Sequence, residues 1–373
     1  MLAMDGNRKL LVLGNSNEIS KGGYIRSIQD RTIINASVGG CSSLAGIPML
    51  GLNDIPKGGY CLLNYELNEN GILRDKLRSE TEIREIWQYL ISKAFENNAT
   101  PIILILPHLH SNGSLFRSST ADVHVAIARE ACIPFLDIAR FFINFVESGV
   151  SPCDLMKDNV HLSPWGHNIV AKIVSECLVR LDGFERPTRM HEAFRPNYFM
   201  TWAKDMGVGK LTYNKSSLSG GEFAEITQED VLNIQLPESG YELIGLSLNR
   251  KSLGGALNTH GLCKHLTYEQ AGLPGFMRVV TDIKALPVQD RSISFSFTPT
   301  NASPPIEATW LTGKVSENAE CSLELECIIF RSPHSAPINL KHEFPLLDDF
   351  DLLELLPKSM LLEACQKTSD CYL

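Results

Sequence analysis

The feature that most limits what this chain can fold into is a regular alternation, through its first half, of short apolar runs with segments of helical period. Lys9–Leu13, Thr32–Ala36, Tyr60–Tyr65, Pro101–Pro107 and Pro134–Ile138 are apolar and of strand length. Strands that read as continuous apolar runs, separated by helices, are those of a parallel sheet buried on both faces. Between the third and fourth runs, Ile83, Ile86, Trp87, Leu90, Ile91 and Phe95 recur at helical spacing, which marks one buried face. After the fifth, Ile169, Val170, Ile173, Val174, Cys177, Leu178 and Leu181 do the same. Ser163 stands there as a cap and Pro164 fits the first helical turn. The expectation is a doubly wound α/β domain over residues 1–185.

Past Asp182 the pattern changes. Residues 183–200 are rich in Arg, Pro and aromatic side chains without a period and read as a connector. Beyond lie short alternating runs punctuated by Gly, Pro and Ser: Val231–Gln235, Tyr241–Leu248, Met277–Ile283, Ser292–Phe297, Ala308–Thr312 and Ser322–Phe330. Runs of this kind without long helices between them predict an antiparallel, sandwich-like β domain over 186–373. A terminal helix near Asp348–Lys367, interrupted at Pro357, is expected on its flank.

A length of 373 residues suits two domains. The net charge of -9, with no Lys/Arg stripe to neutralise phosphates, argues against nucleic acid and anionic membrane surfaces as partners. The ten cysteines are scattered singly with no Cys-x-x-Cys pair, and reduced thiols are expected. The apolar stretch Leu10–Leu13 is too short for a signal-peptide core, and no run approaches the length that spans a bilayer. A cytoplasmic location is the expectation.

Chemistry is concentrated at the carboxyl ends of the expected strands, the edge where open α/β sheets bind ligands. Gly14-Asn15-Ser16 follows the first strand; a serine there is either a helix cap or a nucleophile. Asp158-Asn159-Val160-His161 precedes the last helix. It supplies an imidazole to take a serine's proton and a carboxylate to orient the imidazole. Asn35-Ala36-Ser37-Val38-Gly39-Gly40 follows the second strand and Glu66-Leu67-Asn68-Glu69 the third. A glycine N–H and an asparagine amide are donors suited to a developing oxyanion, although such loops also make ordinary turns.

In this order, over roughly residues 9 to 181, the blocks resemble the SGNH (GDSL-like) hydrolase superfamily. The resemblance implies a three-layer, flavodoxin-like domain. It implies Ser16 as nucleophile, with Asp158 and His161 completing a catalytic triad, and an oxyanion hole from the N–H groups of Ser16 and Gly40 and the amide of Asn68. Leu-Ser-Pro-Trp-Gly-His-Asn after His161 looks like the family's entry into its last helix. Two departures stand out: Asn15 replaces the usual aspartate beside the serine, and Glu66 replaces a glycine in the third block, where a side chain would narrow the pocket. Asn15, Glu66 and His108, the last at the end of the fourth strand, are candidates for substrate contact. His108-Leu109-His110 also has the look of a metal pair but lacks a partner at familiar spacing; no metal and no cofactor are expected. His167, Trp165 and Cys41 are expected to shape or pack the site.

The resemblance implies ester hydrolysis through an acyl-enzyme. The accompanying β domain points, by analogy, to an O-acetyl group on a carbohydrate-linked substrate. Trp202, Tyr213, Tyr241 and Trp310 are candidates for a sugar-stacking platform or for core. The same triad would serve an O-acyltransferase acting on a polysaccharide. A noncatalytic glycan-binding or assembly protein would retain the scaffold.

Overall fold

In a computed structural model of the chain, residues 9–28, 31–183, 198–215, 220–249, 254–259, 262–267, 278–299, 322–334, 351–357 and 361 are described. The chain divides into two compact units, Met1–Arg195 with Ala336–Leu373, and Pro196–Ser335.

The first unit runs β1 (Leu10–Leu13), α1 (Ser16–Ile19), β2 (Ile33–Asn35), α2 (Gly46–Leu52), β3 (Tyr60–Leu63), α3 (Glu66–Arg74), α4 (Glu80–Glu96) and β4 (Thr100–Ile105). It continues with a small hairpin, β5 (His108–Leu109) and β6 (Leu115–Phe116), then α5 (Ser119–Glu130), β7 (Phe135–Asp137), α6 (Ile138–Glu147), α7 (Pro152–Leu155) and α8 (Pro164–Asp182). Strands β2-β1-β3-β4-β7 form one sheet in that order, every pairing parallel. This is the flavodoxin-like order, whose switch point lies between β1 and β3.

Every residue of β1, β3, β4 and β7 is buried, because helices cover both faces. Side chains alternate between the faces. Leu10, Val12, Tyr60, Leu62, Ile102 and Leu104 pack with Ile138 and Phe142 of α6 and with the apolar face of α8. On the other face, α4 and α5 lie against β4 and against each other. The apolar period of α4 puts Ile83, Ile86, Trp87, Leu90 and Ile91 inside, and Ser79 with Glu82 closes a capping box at its start. Ser163 caps α8 by accepting from the Gly166 N–H, with Pro at the first turn.

The expected 186–373 accessory region differs from the observed division at its C-terminal end. Asp351 bridges β7 at Phe135, and a 3-10 turn, Leu352–Leu355, follows. Leu352, Leu353 and Leu356 join the core beneath α8, and Asp351, fully buried, pairs with Arg140 of α6. Leu352, Leu353 and Leu356 are thus buried in the core of the first unit. Of the remainder of the helix expected near Asp348–Lys367, Leu361 is described: its N–H donates to the Pro357 carbonyl at 3.1 Å and its side chain packs on the same core. The rest after Pro357 lies outside the described residues.

The second unit contains β8 (Tyr198–Trp202), β9 (Lys210–Lys215), β10 (Gly220–Thr227), β11 (Val231–Gln235), β12 (Glu242–Asn249), β13 (Gly254–Thr259), β14 (Leu262–Thr267), β15 (Arg278–Pro287), β16 (Ser292–Pro299) and β17 (Ser322–Arg331). They form two antiparallel sheets. One is ordered β15-β12-β17-β10-β9 with β8 also on β17, and the other β11-β16-β13-β14. The sheets meet through β13, against β17, and through β16, against β10 and β17. Period-2 alternation is plainest in β11, where Leu232 and Ile234 are buried between exposed neighbours. Of the candidate platform aromatics, Tyr241 is buried edge-on to Phe199, Tyr213 is 66% exposed on β9, and Trp202 is half-buried on β8. Trp310, like the run Ala308–Thr312, lies outside the described residues.

Among the described residues, no helix is long and apolar enough to cross a membrane. Cys41, Cys61, Cys132, Cys153, Cys177 and Cys327 are free thiols.

Candidate active site

The loops after β1, β2 and β3 and the loop before α8 converge at the carboxyl edge of the sheet, about the switch point. The local reason for the turn after β1 is a capping box. Asn15 caps α1 through its side chain, and Glu18 reaches back to accept from the Asn15 N–H at 2.7 Å. Ser16 is therefore the first residue of α1, with a backbone N–H that has no acceptor inside the helix.

Under this turn lies a buried polar knot. The Glu18 carboxylate accepts from the Tyr24 hydroxyl and from the Asn64 amide, each at 2.6 Å. Burial pushes the Glu18 carboxyl above its usual range, against the pull of these bonds. It also raises the Tyr24 phenol, helped by the neighbouring Glu18 charge. The Asn15 amide donates to the Asn64 carbonyl at the end of β3, 3.2 Å away. The turn that carries Ser16 is thus pinned to the strand beside it.

The loop between α7 and α8 folds on the Asp158 carboxylate. Its Oδ1 accepts from the backbone N–H groups of Val160 at 3.0 Å and His161 at 2.9 Å. The Lys157 N–H returns to the His161 carbonyl at 2.8 Å. The same carboxylate meets Nδ1 of the His161 ring at 2.8 Å, and the opposite ring nitrogen, Nε2, lies 2.8 Å from Ser16 Oγ. Burial acts to raise the Asp158 carboxyl, but the Val160 and His161 backbone donors and the His161 ring together hold it below the ordinary carboxylate range. An ionised carboxylate only accepts, so Nδ1 carries a proton, and in the neutral ring Nε2 is then the nitrogen left to accept from the Ser16 hydroxyl. His161 and Asp158 side chains are 39% and 47% exposed, and Ser16 is half-buried.

The loop after β2 runs past α1. A Cβ placed on Gly39 would come within 2.7 Å of Ile19 Cδ1 and 4.0 Å of Ser16 Cα. Gly40 makes the turn in the left-handed region, at φ 71°. One N–H of the Asn68 amide, on the first turns of α3, goes to the Cys41 carbonyl at 2.8 Å. Next to it, Glu69 accepts from the Ser43 N–H at 3.1 Å. Thus α3 holds the Gly40 loop by two bonds.

The three substrate-contact candidates are turned inward. Asn15 is fully buried in the cap just described. Glu66 is fully buried and accepts from the Ser118 hydroxyl, with His108 Nε2 at 3.3 Å. His108 is 5% exposed. Both contacts fall on Oε1, from α5's capping serine and from His108 of β5, while the buried Oε2 has no hydrogen-bond partner among the described residues. Glu66 thus ties the start of α3 to the start of α5 and to β5. His110 is exposed and stacks on Phe116 at 3.8 Å. The Leu109 N–H of that hairpin donates to the Asn159 carbonyl of the Asp158 loop at 3.0 Å. Trp165 and Cys41 are buried. His167 is 6% exposed, with Nδ1 accepting from the Tyr24 N–H at 3.2 Å, and burial, with the nearby His161, lowers its pKa to about 4.

Asn17, Glu18, Tyr24 and Asn64 were not singled out by the sequence reading. The available signal was the Asn-x-x-Glu spacing of a capping box at residues 15–18.

No family model matches the chain, and no curated protein matches it. Solved structures do, over about half its length. A Bacillus subtilis protein is 18% identical with a TM-score of 0.40, over 48% of this chain and 58% of that chain. An acetyl xylan esterase is 18% identical with a TM-score of 0.38, over 44% of this chain and 96% of that one. An acetylxylan esterase from Geobacillus stearothermophilus is 17% identical with a TM-score of 0.36, over 50% of this chain and 100% of that one.

Proposed function

We propose that the protein is a serine esterase of the SGNH type, with Ser16 as nucleophile, His161 as general base and Asp158 as the group that orients it. The observation that carries this reading is the unbroken hydrogen-bonded line from Ser16 Oγ through the two nitrogens of His161 to Asp158. A serine hydroxyl is a weak nucleophile until a base takes its proton, and this line supplies the base with its tautomer set.

In this mechanism, Ser16 Oγ bonds to the ester carbonyl carbon while its proton passes to His161 Nε2. The Asp158 carboxylate stabilises the resulting imidazolium. The carbonyl oxygen takes up negative charge and is received by the N–H groups of Ser16 and Gly40 and by the second N–H of the Asn68 amide. One such donor is worth about 3 kcal/mol of barrier. The imidazolium proton then leaves with the alcohol as the carbon–oxygen bond breaks. Water, deprotonated by His161, repeats the addition and frees the acid and Ser16.

For substrate we propose an O-acetyl group on a carbohydrate-linked alcohol, reading the β unit as an accessory to glycan recognition. The test is acetate release from acetylated xylo-oligosaccharides and other O-acetylated glycans by wild type and Ser16→Ala. Sugar acceptors are included, so that transfer products are seen beside free acetate. Ser16-dependent acetate release supports the reading. Acetyl transfer that outruns release would move the assignment to an acyltransferase. Hydrolysis of simple aryl acetates alone would remove the carbohydrate from it.

A further inference from the structure

Ser16 and His161 come from segments 145 residues apart, and the loop that carries His161 is exposed at Lys157, Asp158 and Asn159. Asp158 sets the orientation of the ring but belongs to the same loop, so it cannot set the loop's distance from α1. The side chain of Asn17, next to the nucleophile and fully buried, spans that gap. Its Nδ2 donates to the Val160 carbonyl at 2.9 Å, and its Oδ1 accepts from the Leu162 N–H at 3.0 Å. The two bonds fall on either side of His161, so one planar carboxamide pairs with the backbone of that loop as a neighbouring peptide would.

We propose that Asn17 is a positioning residue that holds His161 at proton-transfer distance from Ser16. The proposal rests on the serine esterase reading. Its chemistry is specific to asparagine. Aspartate keeps the acceptor for Leu162 but sets a carboxylate against the Val160 carbonyl. Glutamine is a methylene too long for the same span, and leucine or alanine makes neither bond. The anchoring end is rigid, since the Asn15 cap and the Glu18 knot tie α1 to the end of β3. A buried amide group is costly to leave unpaired, which keeps the clamp closed in the resting protein. Displacing a reacting group by about 1 Å can cost about 100-fold in rate, and the clamp acts on just that distance.

The test has two readouts, both made on the full chain after circular dichroism and thermal melting show that each variant folds. The first is hydrolysis of p-nitrophenyl acetate by wild type, Asn17→Ala, His161→Ala and the double variant. The expected result is a fall in kcat of about 30- to 100-fold in Asn17→Ala, with KM moved by less than about threefold. In the His161→Ala background the Asn17 change has almost no further effect, because a residue that acts through His161 has nothing left to position. An unchanged kcat, or an equal fall in both backgrounds, overturns the proposal.

The second readout does not depend on turnover. With ring-labelled histidine, the His161 resonance, identified by its loss in His161→Ala, shifts on Ser16→Ala in the wild-type background. It no longer responds to Ser16→Ala once Asn17 is alanine. A response that persists overturns the proposal while leaving the esterase reading intact. Loss of the response in a protein that shows no Ser16-dependent hydrolysis would retain the clamp and reject the esterase. Should Asn17→Ala not fold, Asn17→Asp, which keeps the bond to Leu162, is measured in its place with the same expectations.

Discussion

His167 offers a quantitative check on the packing behind the site. It is 6% exposed, and Nδ1 accepts from the Tyr24 backbone N–H at 3.2 Å, a bond that only the neutral form of that nitrogen can make. An ordinary histidine titrates near 6.5, whereas burial, with the nearby His161, lowers this one to about 4. Between those values the unfolded chain binds a proton that the folded chain does not. Stability contributed by the neutral ring is therefore complete above pH 6.5, is lost as pH falls towards 4, and changes no further below that. At about 1.4 kcal/mol per pH unit the full interval amounts to roughly 3 kcal/mol, of which about 2 is gone by pH 5. His167→Asn retains an acceptor for the Tyr24 N–H but does not titrate. Urea unfolding at pH 8 and pH 5 is expected to show a pH-dependent loss smaller by about 2 kcal/mol in His167→Asn than in wild type. The wild-type His167 ring signal should titrate near 4. Equal losses in the two proteins, or a ring that titrates near 6.5, would refute the reasoning.

Two further substitutions probe the scaffold. A Cβ on Gly14 would lie 2.7 Å from the Glu18 carboxyl carbon, and that carboxylate is fixed by three donors and cannot swing away. Gly14→Ala is expected to lose about 1–3 kcal/mol in chemical unfolding and to lower Ser16-dependent activity more than its melting temperature explains; wild-type activity in the variant would contradict this. Leu352 is fully buried beneath α8, so Leu352→Ala should destabilise the unit that holds the site by about 2–5 kcal/mol, read as accelerated hydrogen exchange in α8. Acceleration confined to the β unit would show that the segment belongs there.

The parallel sheet was legible because β1, β3 and β4 are buried on both faces and so read as unbroken apolar runs. Helices α4 and α8 declared themselves by period. Strands β9 and β10 did not. The first, Lys210–Lys215, is an edge strand with mostly solvent-facing polar side chains, and the second opens on two glycines. The leucines at 352, 353 and 356 announced burial but not the surface they bury against. At the site, Ser16, Asp158 and His161 stood out because their chemistry needs those residue types at successive strand and helix ends. Asn15, Glu66 and His108 were placed at the right edge of the sheet, but their burial was not legible, since spacing locates a backbone and says nothing of an inward-turned polar side chain. Asn17 and Glu18 escaped for a related reason. The partners of Asn17, Val160 and Leu162, and the Asn64 that joins Glu18 to β3 are distant in sequence, so only the local Asn15–Glu18 cap was open to a reading by spacing.

The central claim, that Ser16 carries the acyl group during ester cleavage, is tested most directly by trapping. Wild type and Ser16→Ala are mixed with p-nitrophenyl acetate, quenched in acid during the burst, digested and weighed by mass spectrometry. The account predicts one added acetyl group on the peptide that contains Ser16, and neither the adduct nor the burst in Ser16→Ala. Turnover that survives Ser16→Ala undiminished, or an acetyl group formed during turnover on another residue alone, would contradict it.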